Sequence, residues 1–104
     1  MAWVDAISFD EIEENTVVSF ARNGFELAIY RLDGDEIRAT DNICTHAHAY
    51  LSEGWFENGV IECPLHAGCF DVRSGKGLGA PITEDLRTYP VRIEGGMVQV
   101  DLPE

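Results

Sequence analysis

The sequence predicts an all-β protein: a sandwich or partly closed barrel of about eight to ten short antiparallel strands. Two observations carry this. Turn signals recur at short intervals, as Asn23-Gly24, Asp33-Gly34, Asn58-Gly59 and Gly95-Gly96, and the runs between them have the alternating apolar pattern of half-buried strands. No stretch sustains the helical apolar repeat for three turns.

Taken in order, "FELAIYRL" (25–32) places Phe25, Leu27 and Ile29 on one face, and "EIRATD" returns after Asp33-Gly34 as a hairpin. "VIEC" (60–63) is a short strand. "YPVRI" (89–93) sets Tyr89, Val91 and Ile93 to one side, "MVQVDL" (97–102) does the same with Val98, Val100 and Leu102, and Gly95-Gly96 joins the two. The best helical candidate is a single turn near "SFDEIEEN", with Ser8 or Asp10 as its cap. Residues 43–82 break the pattern. They are rich in Gly, Cys and His, "RSGKGLGAP" (73–81) is loop, and the segment reads as a loop-rich insertion on a β scaffold.

At 104 residues the chain is expected to be one domain, residues 1–104. Its net charge of −12 would repel nucleic acid and anionic membrane surfaces. The same charge would favour encounter with a basic protein partner, or simply keep the domain in solution. No run approaches the ~20 apolar residues of a membrane span. The N-terminus "MAWVDAISFDEIEEN" lacks the features of a signal peptide, so a cytoplasmic location is expected. In that reducing setting three cysteines argue for metal ligation before disulfides.

Two of those cysteines and all three histidines lie in "CTHAHAYLSEGWFENGVIECPLH" (44–66). Each end carries a mixed pair, Cys44-x-His46 and Cys63-x-x-His66, separated by 16 residues, enough for a hairpin to bring the pairs together. Thiolate and imidazole are the commonest protein ligands of transition metals. A structural zinc site is one reading, although its two Cys are normally adjacent, as are its two His. Mixed pairs suit a centre with unlike ends, such as a two-iron cluster with two Cys on one iron and two His on the other.

The pair "CTH" and "CPLH", with the flanking "SEGWFENGVIECPLHAGCFDVRSGKGLGAP" and "LRTYPVRIEGGMVQVDL", resembles the small Rieske ferredoxins of bacterial aromatic-ring-hydroxylating dioxygenase systems, such as those for naphthalene and biphenyl. The resemblance covers nearly the whole chain. It implies a Rieske-like β-sandwich or partial barrel with a cluster-binding subdomain at about 43–82. It also implies one 2Fe-2S cluster, with Cys44 and Cys63 on one iron and His46 and His66 on the other. Respiratory-chain Rieske proteins add a disulfide between the cluster loops; Ala49 and Leu65 stand at those positions here. Respiratory proteins also carry Ser and Tyr hydroxyls that bond to the cluster, where this chain has Gly68 and Phe70. Fewer hydrogen bonds to sulfur and a strongly negative chain both lower the potential, to an expected value on the order of −150 mV.

The function implied is that of an electron carrier without a catalytic site of its own. It would take single electrons from an NADH-oxidising flavoprotein reductase and pass them to a terminal Rieske non-haem iron oxygenase, through transient complexes and as a monomer. Two alternatives are a Rieske subunit of a larger oxidoreductase, such as a nitrite-reductase small subunit, and a zinc-stabilised β module for protein binding. His48 reads as a partly exposed loop residue outside the ligand set, and Cys69 as a free thiol. By the family pattern Pro81 ends a third loop over the cluster. "SGKGLG" lacks the order of a phosphate loop.

Overall fold

The computed structural model describes residues 2–45, 48–65 and 67–103, and these form ten strands, two 3-10 turns and no α-helix. The strands are β1 (Ala2–Ser8), β2 (Thr16–Arg22), β3 (Phe25–Arg31), β4 (Ile37–Asp41), β5 (Trp55–Glu57), β6 (Val60–Glu62), β7 (Cys69–Asp71), β8 (Thr88–Tyr89), β9 (Val91–Glu94) and β10 (Met97–Leu102). They make three antiparallel sheets, ordered β1-β10-β9, β2-β3-β4-β8 and β5-β6-β7, and among the described residues they do not close into a barrel.

The turns form where the sequence puts them. Asn23-Gly24, Asn58-Gly59 and Gly95-Gly96 all take positive φ at both residues, the geometry that suits a tight hairpin to the strand twist. The candidate turn near Ser8 is a 3-10 turn, Phe9–Glu11, with Ser8 at its cap position. Ser8 makes no side-chain capping bond, since the turn is a single one hung between two strands.

The four-stranded sheet is the middle layer. One of its faces packs with β9 and β10 around a first core of Leu27, Ile29, Ile37, Ala39, Val98, Val100 and Leu102. Its other face carries Ala28 and Tyr30 into a second core with Leu51, Ile61, Phe70, Val72 and Leu86. The expected alternation in β3 is real, yet its second face is buried as well: residues 27 to 30 are all closed to solvent. The short sheet and its loops cover that face. Tyr30 is buried there and its hydroxyl pairs with Thr40 Oγ1 at 2.8 Å.

One strand expectation is corrected. "YPVRI" is not continuous: Thr88–Tyr89 pairs with β4, Val91–Glu94 pairs with β10, and Ile93 is exposed. Pro90 stands between them. It has no N–H for either ladder, and the chain changes sheet there. Strands β1, β2, β5 and β7 are not among those the alternation marks. The last two are only three residues long, too short to show a period.

Candidate metal centre

Two loops leave neighbouring points of the second core. The first follows β4 and runs to the second 3-10 turn, Leu51–Glu53. It closes through the Ile43–Tyr50 bridge and a bond from the Cys44 N–H to the Ala49 carbonyl, 2.9 Å. The second joins β6 to β7 and closes in the same way, with the Cys63 N–H donating to the Gly68 carbonyl at 2.7 Å. Each cysteine thus opens a loop whose return arm binds it five residues later.

The outcome is that Cys44 and Cys63, far apart in sequence, meet. They are 4% and 0% exposed, and their thiols are hydrogen-bonding neighbours. Both belong to the second core, beside Ile61, Leu51 and Phe70. Burial, above all, pushes the Cys63 thiol up to about 11; the Leu65 N–H, 3.4 Å from its sulfur, opposes this, and the Cys44 thiol adds to it. Two neighbouring buried thiols are poor nucleophiles and good metal ligands, because a cation removes both protons and offsets the desolvation. The donor set therefore fits a cluster with one cysteine-ligated iron, and an N–H already aimed at one of its sulfurs is the kind of second partner that tunes such centres.

His46 and His66, the other two expected ligands, lie outside the described residues. Among the described residues no three His, Cys, Asp and Glu side chains gather to hold a metal ion, so a zinc site would also have to draw on those histidines. His48, expected to be a partly exposed loop residue, is exposed. Cys69 is half-buried, with its sulfur 3.9 Å from Glu62 Oε1 and 3.6 Å from the Ala67 carbonyl. Burial and the Glu62 carboxylate both push its thiol up, which keeps it protonated and unreactive.

A third loop reaches the first. The Thr45 hydroxyl, next to Cys44, donates to the Glu84 carbonyl at 2.8 Å. That loop carries the exposed Pro81 and is drawn in by the Gly77 N–H on Asp85 Oδ1, 2.9 Å, and the Leu86 N–H on the Gly75 carbonyl, 2.7 Å. Leu65 and Leu78 stand exposed on the second and third loops. Gly68 and Phe70 are both buried, and Phe70 brings a ring with no hydroxyl into the core that holds the two cysteines.

Three sheets, two facing loops and a buried cysteine pair define an iron–sulfur electron carrier of the Rieske class. The family model for the Rieske [2Fe-2S] domain matches residues 2–90, and the chain belongs to that family and carries one cluster of the Rieske type. It is 51% identical over 100 residues to the ferredoxin component of a naphthalene 1,2-dioxygenase system from Pseudomonas aeruginosa, covering 96% of this chain and 95% of the relative. A solved Sphingomonas yanoikuyae B1 ferredoxin superimposes with a TM-score of 0.92 at 35% identity, covering 98% of this chain and 100% of that one. A second solved structure, a complex of reduced oxygenase and oxidized ferredoxin in carbazole 1,9a-dioxygenase, contains a chain matching at a TM-score of 0.89 and 36% identity over 94% of this chain and 91% of that one. Electron transfer rather than catalysis is the role these relationships assign to the chain.

Proposed function

We propose that this protein carries single electrons from an NADH-dependent flavoprotein reductase to a terminal Rieske non-haem iron oxygenase that attacks an aromatic compound, in the cytoplasm and as a monomer. Residues 1–104 act as one Rieske domain with the cluster segment at about 43–82. Cys44 and Cys63 hold one iron, and His46 and His66 hold the other. The observation that carries this reading is the meeting of the Cys44 and Cys63 thiols at the bases of two similarly closed loops. When bound, the cluster supplies a site that gains and loses one electron.

The chain's own residues do the rest. Ile61, Leu51 and Phe70 share one buried core with the two cysteines, an apolar setting that would limit reorganisation when the charge changes. The Leu65 N–H donates to the Cys63 sulfur and favours its charged form. The net charge of −12 disfavours an added electron and keeps the potential low, while steering fast, weak encounters with basic partner surfaces.

The test is reconstitution. Cys44→Ser, Cys63→Ser, His46→Ala and His66→Ala should each abolish the visible colour and the EPR signal of the reduced cluster. The wild-type protein should support NADH-dependent turnover with candidate reductase and oxygenase pairs, at a rate that falls as ionic strength rises. A variant that retains a normal cluster spectrum would remove that residue from the ligand set. A delivery rate indifferent to salt would refute the steering.

A further inference from the structure

Asn42 is 3% exposed, and its polar groups tie the two ends of the first loop to each other and to β3. Its backbone N–H donates to the Glu26 carbonyl at 2.9 Å, continuing the register of β4 on β3. Its backbone carbonyl accepts the Leu51 N–H at 2.7 Å. Its side-chain Oδ1 accepts the Ser52 N–H at 2.8 Å, and its Nδ2 donates to Ser52 Oγ at 3.0 Å. The orientation of the amide is fixed by the Ser52 backbone N–H, which can only donate.

The 3-10 turn Leu51–Glu53 needs this. Tyr50, at its cap position, makes no side-chain capping bond. Asn42, ten residues earlier, supplies the cap from outside the turn. The two ligand loops differ here. The second is closed by the β6–β7 ladder, three residue pairs ending at Glu62–Cys69. The first has a single bridge, Ile43–Tyr50, and beneath it Asn42.

We infer that Asn42 is a positioning residue for the cluster: its side chain clasps the first loop shut, and so sets where Cys44 stands against Cys63. This rests on the reading above that Cys44 is a ligand. The bonds of Asn42 run to Glu26, Leu51 and Ser52. Asn42 acts through the return arm, because capping Ser52 holds Leu51 and Tyr50 in place, and with them Ala49, whose carbonyl binds the Cys44 N–H.

The test compares Asn42→Leu, Asn42→Asp and Ser52→Ala in the purified, cluster-loaded protein. The measurements are the rate of bleaching by an iron chelator and the EPR g-values of the reduced state. Asn42→Leu orphans the half-buried Ser52 N–H and should release the cluster faster, on the order of tenfold, with shifted g-values. Asn42→Asp keeps an acceptor for that N–H and can accept from the Ser52 hydroxyl, so it should stay within about twofold of wild type. Ser52→Ala keeps its N–H and should fall between the two.

Wild-type release and g-values in Asn42→Leu would overturn the inference. So would equal damage from Asn42→Asp, which would point to packing and not to the cap. If Asn42→Leu does not accumulate, slow release by Asn42→Asp relative to Ser52→Ala still decides the matter, since the inference requires that order. Cys44→Ser serves as the separate control. Retention of a normal cluster there would sink the ligand reading, whereas loss there with silent Asn42 variants would sink the clasp alone.

Discussion

Replacing Gly54 with alanine should loosen the domain and disturb Cys63 together. Gly54 follows the 3-10 turn and lies directly behind β6. A Cβ built on it would stand 2.0 Å from the Glu62 carbonyl oxygen, 3.1 Å from the carbon of that carbonyl and 3.2 Å from the Leu51 carbonyl oxygen. Its φ of −91° is one any residue adopts, so the obstacle is space and not backbone strain. Ordinary contact begins near 3.4 Å, so the oxygen is roughly 1.4 Å too close. Both neighbours are backbone, which cannot swing aside as a side chain could. Overpacking of a tight interior costs about 1–3 kcal/mol, and backbone on both sides argues for about 3. Against a total of about 5–15 kcal/mol the protein would still fold, with its Tm lowered on the order of 15 °C. The displaced carbonyl belongs to the residue before Cys63, so cluster occupancy should fall too. The assay is thermal unfolding by circular dichroism with iron content and visible absorbance on the same samples. Gly24→Ala is the control: its φ is +84° with open space around it. It should cost about 1 kcal/mol of left-handed strain and leave the cluster alone. If Gly54→Ala melts and holds iron no worse than Gly24→Ala, the steric reasoning is refuted.

Other expectations are simpler. Tyr30→Phe should cost about 1 kcal/mol and Thr40→Val about 2 kcal/mol, because the second leaves a buried phenol without its partner; the double variant should cost less than the sum, as urea unfolding would show. Cys69→Ser should keep an unchanged cluster spectrum, and iron loss would show that the thiol matters to ligation. Glu36, at the β3–β4 turn, is held at about 2, first by its bond to Arg73 and then with help from Arg38. Its contribution to stability is full above the ordinary carboxylate range and is lost as pH falls from about 4.5 towards 2, so Glu36→Gln should flatten the fall of the unfolding midpoint in that window. A redox titration should give a midpoint on the order of −150 mV, and a clearly positive value would refute the argument from Gly68, Phe70 and charge.

The legible parts of the fold were those written locally. Asn-Gly and Gly-Gly favour the positive φ that tight hairpin turns need, and Val98, Val100 and Leu102 point one way because strand side chains alternate. Pro90 was equally visible, but that the chain changes sheets at that residue depends on which ladder each neighbour joins. The second face of β3 was hidden for the same reason. Ala28 and Tyr30 are ordinary outward residues until the β5–β6–β7 sheet is laid over them.

At the site, the sequence by itself supplied the donor types: mixed Cys/His pairs suit a centre with unlike ends, because residue type and short spacing are local properties of each loop. It also set the charge, since −12 is a sum over residues that needs no structure. Tertiary structure alone decided how the cysteines are presented. The contact between Cys44 and Cys63, the dry shell around them and the Leu65 N–H at one sulfur all come from packing loops of different sheets against one core. Asn42 shows the difference most clearly. In sequence it is one asparagine before "ICTH"; only the fold brings Ser52 to its side chain and turns a polar residue, which costs energy to bury unpaired, into the cap on which the first loop closes.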